Sequence, residues 1–344
     1  MNKWIKTSAS ILAESHTFER FVSLLERPDN GNSNLLRVLT YHRIDEPGKR
    51  SHLDPGLISA TPQDFERQME YLVGHYHVVS MAELMEIKSA SRNLPSNAVV
   101  VTFDDAYRDF QENAWPILKR LKLPVTLFVA TSYPGNPDKL FWWDRLYHAI
   151  WNSEFVDWLE TLAGRFPLRS DQEKVQSLRN LREYVKSMPH IEAMKFVDSV
   201  YDQLKPPRYK NEVLDWDALR RLVQEGVTLG PHTQTHPLMN QISSKDAYQE
   251  LVGSMEDLER EVGEVMPIFA YPGGGLNNRV VEILRQEDVQ IGFTTLRGIN
   301  QIGKVDWLQL RRINVGARTT LQILRAQLLP MAAYLNRLWS LSGA

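Results

Sequence analysis

The chain has 344 residues, 43% apolar and 24% charged, which suits one large globular domain or two ordinary ones. A net charge of −2 supplies no bulk field for a polyanion, so nucleic acid is not an expected partner. The absence of cysteine excludes disulfides, cysteine-ligated zinc, iron–sulfur clusters and thiol catalysis.

Residues 1–34 read as an N-terminal helix followed by a polar loop, PDNGNSN. Glu14, His16 and Glu19 interrupt the apolar run that a secretory signal needs, so a cytoplasmic protein is expected. A strand is predicted over 36–41, then a helix over 62–76 with Thr61 as N-cap and Pro62 in its first turn. A short strand at 77–80 and a helix at 81–90 follow. The β-branched run AVVVTF, 98–103, has the character of a fully buried parallel strand. A helix through 121 and a strand at 125–130 continue the rhythm, which then stops. The block from about 133 to 215 reads as helices, aromatic at first (FWWDRLYHAIW) and charged later. Beyond it come a helix at 216–225, strand 227–230, helix 244–262 and strand 268–271. A helix from 277 and strands at 289–294 and 309–315 close the series. This alternation predicts an α/β fold with a parallel sheet or barrel, and an insertion riding on it. The segment 316–344 is expected to form a C-terminal apolar helix, divided by Pro330, with peripheral membrane contact as its sharper reading. No stretch is apolar enough for a membrane span.

Four places carry candidate chemistry. Strand 98–103 ends in Asp104-Asp105. Neighbouring strand residues face opposite ways, so two adjacent carboxylates serve one site only where the strand breaks into a loop. Their mutual repulsion is relieved if one of them binds a cation. After the strand VTLG comes His232-Thr-Gln-Thr-His236, a spacing that lets two imidazoles reach one metal. Nine histidines give about 0.24 such pairs by chance, so the spacing alone is a weak signal. Its position after a strand strengthens it, and with one carboxylate it forms a three-ligand set of catalytic type. Zinc suits that set, with cobalt, nickel, iron and manganese as alternatives. The third place is Tyr271-Pro272-Gly273-Gly274-Gly275, where glycine allows a backbone N–H to approach a ligand closely. The fourth is His42, at the end of the first core strand, an ordinary candidate for protonating a leaving amine.

Thr102-Phe103-Asp104-Asp105, His232-Thr-x-x-His236 and the Tyr271-Pro-Gly-Gly turn, in this order, resemble the polysaccharide deacetylases of carbohydrate esterase family 4. The resemblance covers about 36–131 and 215–315. It implies an irregular (β/α)7 barrel of parallel strands over 35–315, a divalent metal and hydrolysis of the amide of N-acetyl sugars. Carried over by position, Asp104 looks like the general base, and Asp105, His232 and His236 like the metal ligands. Thr233 stands where the family has a Ser or Thr that supports the histidine loop. Two departures are visible. Ala270 stands where family members often have the arginine that holds the base, and Gly273 where a tyrosine N–H forms the oxyanion hole. Gly273 keeps the N–H, and Arg312, preferred over Arg311, is the expected substitute for the arginine. No histidine follows His236, so the late general acid is missing. The early Tyr-His-Arg-Ile, with His42, resembles the subgroup that deacetylates poly-N-acetylglucosamine exopolysaccharides and takes its acid from the first strand.

The resulting expectation is a metal-dependent deacetylase of an amino sugar in a polysaccharide or glycan precursor. The alternatives are an inactive carbohydrate-binding barrel and a hydrolase of another amide such as a formamide. Trp142, Trp143, Trp151 and Trp158 in the insertion are candidates for core packing or for stacking on sugar rings.

Overall fold

A computed structural model describes residues 34–154 and 156–330. Most of the predicted N-terminal helix and loop, and the part of the C-terminal segment beyond 330, lie outside these residues. The first stretch runs β1 (Leu35–Tyr41), β2 (Arg43–Ile44), β3 (Ile58–Ala60), α1 (Pro62–His75), β4 (His77–Val78), α2 (Met81–Ser89) and β5 (Ala98–Phe103). Thr61 caps α1 by accepting from Asp64 N. A π-helical turn (Phe110–Ala114) leads into α3 (Trp115–Arg120), and β6 (Thr126–Val129) follows.

The block after β6 contains α4 (Trp142–Asn152), β7 (Trp158–Thr161), β8 (Gly164–Pro167), α5 (Asp171–Ser187) and α6 (His190–Leu204). It therefore differs from the all-helical expectation by an antiparallel hairpin, β7–β8. Gly164, at φ 121°, supplies a backbone region closed to other residues, and Leu159 and Phe166 turn one face of the ribbon into the helices' own core. The remainder is α7 (Trp216–Gln224), β9 (Thr228–Pro231), α8 (Ser244–Val262), β10 (Ile268–Ala270), α9 (Asn278–Gln286), β11 (Ile291–Arg297), β12 (Asn300–Gln301), β13 (Leu310–Asn314) and α10 (Leu321–Leu328). Helix α10 buries Leu324 and Leu328 and ends at Leu329, held extended ahead of Pro330. No helix among the described residues is long and apolar enough to cross a membrane.

Seven strands pair side by side in the order β10-β11-β13-β1-β5-β6-β9, every pairing parallel. This is the expected α/β barrel. The end strands β9 and β10 come together without ladder bonds, so the barrel is nearly closed. Gly230 permits that approach: a Cβ there would stand 2.6 Å from the Phe128 ring and 3.0 Å from Ile268 Cδ1.

Side-chain alternation divides the core. Leu36, Val38, Val100, Phe128, Ile268, Phe293 and Leu310 fill the barrel, whereas Leu39, Tyr41, Val99, Val101 and Leu127 pack outward against helices such as α1. The inward parity continues past the strand ends. It carries 36, 38, 40 to His42, and 98, 100, 102 to Asp104, and along β13 it takes Leu310 to Arg312. All three reach the carboxyl-end mouth, where sites of parallel α/β folds gather.

Candidate active site

Asp104 still follows the ladder, its N–H donating to Tyr41 O at 3.0 Å. The next two residues, Asp105 and Ala106, sit in the left-handed region at φ 73° and 52°. Such non-glycine positions cost about 1–3 kcal/mol each and persist where the surroundings impose them. The turn redirects Asp105, which strand parity would send outward, to the same mouth as Asp104. Both carboxylates are buried.

Arg312 reaches Asp104 from β13. It is fully buried and makes a two-point fork, Nη1 to Oδ1 at 2.9 Å and Nη2 to Oδ2 at 2.7 Å. Its Nε donates to Thr294 O at 2.7 Å, which fixes the plane of the guanidinium. Burial alone would push the Asp104 carboxyl up; Arg312 overrides it and holds the group well below the usual carboxylate range. Arg311 points elsewhere, donating to Arg297 O at 3.3 Å.

Asp105 Oδ1 lies 3.3 Å from His236 Nε2 and 3.7 Å from His232 Nε2. One donor atom from each of the three residues falls within 4.8 Å of the others. Two ligands at tetrahedral angles around an ion with bonds near 2.1 Å stand about 3.4 Å apart, so the set has the scale of a metal centre. Asp105 Oδ1 is buried and makes no hydrogen bond among the described residues, so it is open to a cation or a water. His232 Nδ1 donates to Ala270 O at 2.6 Å, which leaves its Nε2 with the lone pair a metal requires. The same bond bridges the gap between β9 and β10. Burial pushes the His232 imidazole down to about 4, so it stays neutral at ordinary pH.

The histidine loop is over-determined. Thr233 and His236 are left-handed, at φ 65° and 61°. Thr233 Oγ1 donates to His232 O and accepts from His236 N at 3.0 Å. Glu250 of α8 accepts from Gln234 N and Thr235 N, both at 2.8 Å, a support that no motif in the sequence signals. Gly273 is left-handed at φ 55°, and a Cβ there would meet Leu238 Cδ2 at 2.7 Å, so glycine is favoured and a larger residue would have to displace the Leu238 side chain. His42 is half-buried, and its imidazole makes no hydrogen bond among the described residues.

A cavity of about 240 Å³ is lined by His42, Asp104, Asp105, His232, His236 and Gly273. The insertion covers it with Trp142, Trp143, Arg182, Lys186 and His190. The tryptophans divide: Trp143 is buried with its ring edge-on to His236, centroids 4.7 Å apart, whereas Trp142 is half-buried at the cavity. Trp151 stacks on Tyr147, and the Arg165 and Arg169 guanidiniums lie 4.2 and 4.8 Å from the centre of the Trp158 ring.

Behind Trp143 runs a buried polar chain missed by the sequence reading. Trp143 Nε1 donates to Tyr107 Oη at 2.9 Å, and Tyr107 donates to Asp144 Oδ2 at 2.6 Å. Burial pushes the Asp144 carboxyl up to about 7, the Tyr107 hydrogen bond opposing it. The folded protein therefore keeps a proton on Asp144 that the unfolded chain releases near pH 4, and stability falls as pH rises through that interval. Between pH 6 and 8 this group should remove about 1 kcal/mol of unfolding free energy. Urea unfolding at both pH values should show that loss in the wild type and its absence in Asp144→Asn. Equal slopes would place the titration elsewhere.

The polysaccharide deacetylase family model matches residues 91–292, and the chain belongs to that family. Two curated relatives carry the name poly-beta-1,6-N-acetyl-D-glucosamine N-deacetylase. The protein from Escherichia coli K12 is 28% identical over 123 residues, which cover 33% of this chain and 17% of the relative. That from Staphylococcus aureus MSSA476 is 33% identical over 79 residues, 23% of this chain and 27% of the relative. The match thus spans about a quarter or less of either relative's length. Among solved structures, the Streptococcus pyogenes deacetylase PplD in complex with acetate superposes with a TM-score of 0.59 at 20% identity, over 86% of this chain and 99% of that one. IcaB from Ammonifex degensii gives 0.55 at 19% identity, over 86% and 97%. At these identities the likeness is one of fold.

Proposed function

We propose that the chain hydrolyses the N-acetyl group of an amino sugar in a polysaccharide or glycan precursor. The observation that carries this reading is one cavity holding an ionised, arginine-clamped Asp104 beside the Asp105, His232 and His236 donors. The donor set fits a divalent ion, zinc first, which when bound would polarise the acetyl carbonyl and acidify a water. Arg312 keeps Asp104 in the form that accepts a proton and fixes its orientation; Asp104 then takes the proton of the attacking water. The Gly273 N–H holds the developing oxyanion. His42, whose imidazole lines the same cavity and makes no hydrogen bond among the described residues, gives its proton to the departing amine, and acetate leaves. The names of the curated relatives support an N-acetylglucosamine polymer as the class of substrate.

The alternative of an inactive binding barrel rests on the arginine missing at Ala270. The Arg312 fork on Asp104 supports the hydrolase instead, because the base is held from a different strand. The test is elemental analysis of the wild type and His236→Ala, purified identically. About one divalent ion per chain in the wild type and little in the variant is expected. Loss of one imidazole of three protein ligands should lower affinity by well over the 10–100-fold that outer-shell changes cause. A wild type without metal after incubation with zinc would overturn the mechanism. Acetate release from N-acetylglucosamine oligomers then separates a deacetylase from a hydrolase of another amide.

A further inference from the structure

The insertion does more than cover the catalytic cavity. A second cavity of about 480 Å³ shares Asp54, Arg182 and Lys186 with the first and continues onto Tyr147 and Trp151. These two rings are stacked, centroids 4.8 Å apart and planes 14° from parallel, and both are half-buried, so they offer a flat amphipathic surface. The junction between the cavities is cationic. Arg182 pairs with Asp54, yet its Nε is buried and makes no hydrogen bond among the described residues. Arg179 Nε lies 3.4 Å from Glu183. Lys186 has no ion-pair partner among the described residues and stands exposed at the junction. Its ammonium is held below the usual lysine range, by partial desolvation first and then by the neighbouring Arg182, a field that an anion would relieve. A neutral amino-sugar polymer offers these groups hydroxyl and carbonyl oxygens but no countercharge.

We infer that α4 and α5 build a second subsite, in which Lys186 and Arg182 bind a carboxylate or phosphate next to the amino sugar and the adjoining ring lies on Tyr147 and Trp151. The substrate is thus an anionic glycan: an amino sugar joined either to a hexuronate or to a sugar or carrier phosphate. This deepens the deacetylase reading and rests on it. Binding energy from this remote contact would be used to orient the acetamido group over Asp104.

The experiment compares kcat/KM for acetate release from three probes: a neutral N-acetylglucosamine tetramer, an oligosaccharide alternating N-acetylglucosamine with glucuronate, and uridine diphosphate N-acetylglucosamine. The wild type should prefer at least one anionic probe by about tenfold or more, the scale of one charge-assisted contact. Which probe wins distinguishes carboxylate from phosphate. In Lys186→Glu the ratio of anionic to neutral kcat/KM should fall by about tenfold or more, and in the wild type it should fall as salt is raised. Lys186 is exposed, so this substitution leaves the core intact. A wild type that treats neutral and anionic probes alike, or a preference untouched by Lys186→Glu, overturns the subsite. If no probe releases acetate, the deacetylase reading fails, and calorimetric binding of the two anionic probes decides the subsite alone. Affinity weakened about tenfold by Lys186→Glu upholds it; absent or unaltered binding overturns it.

Discussion

Asp104→Asn should lower the turnover of acetate release by about 10²–10⁴-fold while leaving the metal content of the purified protein at the wild-type level. The amide keeps the shape of the carboxylate but cannot accept a proton. The three donors of the metal set, Asp105, His232 and His236, are separate side chains and are not altered. Activity and metal content thus distinguish a base from a ligand, because replacing a ligand would lower both together. An Asp104→Asn protein with wild-type turnover would remove Asp104 from the reaction. The carboxyl's low position also fixes the pH behaviour: burial raises it and Arg312 overrides, so the group remains ionised through the neutral and mildly acid range. Any acid limb of the rate near pH 6 should belong to another group.

Arg312→Leu should cost about 3–5 kcal/mol of stability, a large part of the roughly 5–15 kcal/mol typical of a folded domain. The loss comes less from the bonds broken than from what remains: Asp104, 3% exposed, would stand without a countercharge in the barrel mouth. Adding Asp104→Leu to Arg312→Leu should therefore recover much of the loss, since an apolar pair of similar volume carries no desolvation cost. Urea unfolding of the two single variants and the double closes the cycle. If Arg312→Leu unfolds within about 1 kcal/mol of the wild type, the fork contributes little and Asp104 is held by something else. Activity should fall in Arg312→Leu as well, because burial would then push the Asp104 carboxyl up and protonate the base.

Local signals carried much of the architecture. The nearly unbroken β-branched run 98–103 had the character of a strand buried on both faces, and Thr61-Pro62 marked a helix start whose cap is formed as expected. The requirement that the chain leave the strand between Asp104 and Asp105 followed from parity alone, and the left-handed pair at Asp105 and Ala106 meets it. Elsewhere local signals misled. The segment 156–167 lies among strong helix-forming runs and reads as part of them, yet it folds as a hairpin because Leu159 and Phe166 pair across Gly164 over a shared core. Strand β11 begins and ends later than its apolar run suggests, since ladder bonding extends into exposed Leu296 and Arg297.

The sequence by itself determined the alternation of strands and helices, the placing of Asp104, Asp105, His232 and His236 beside strand ends, and the glycine at 273. Each of these is written in spacing, parity or backbone freedom, properties of neighbours along the chain. Only the tertiary structure decided that Arg312 meets Asp104 across 208 positions, that Ala270 O fixes the tautomer of His232, and that α5 carries Arg182 and Lys186 to the cavity edge. Those meetings depend on barrel register and on near-closure between β9 and β10. Both are set by the packing of the whole interior, which no single stretch of residues encodes.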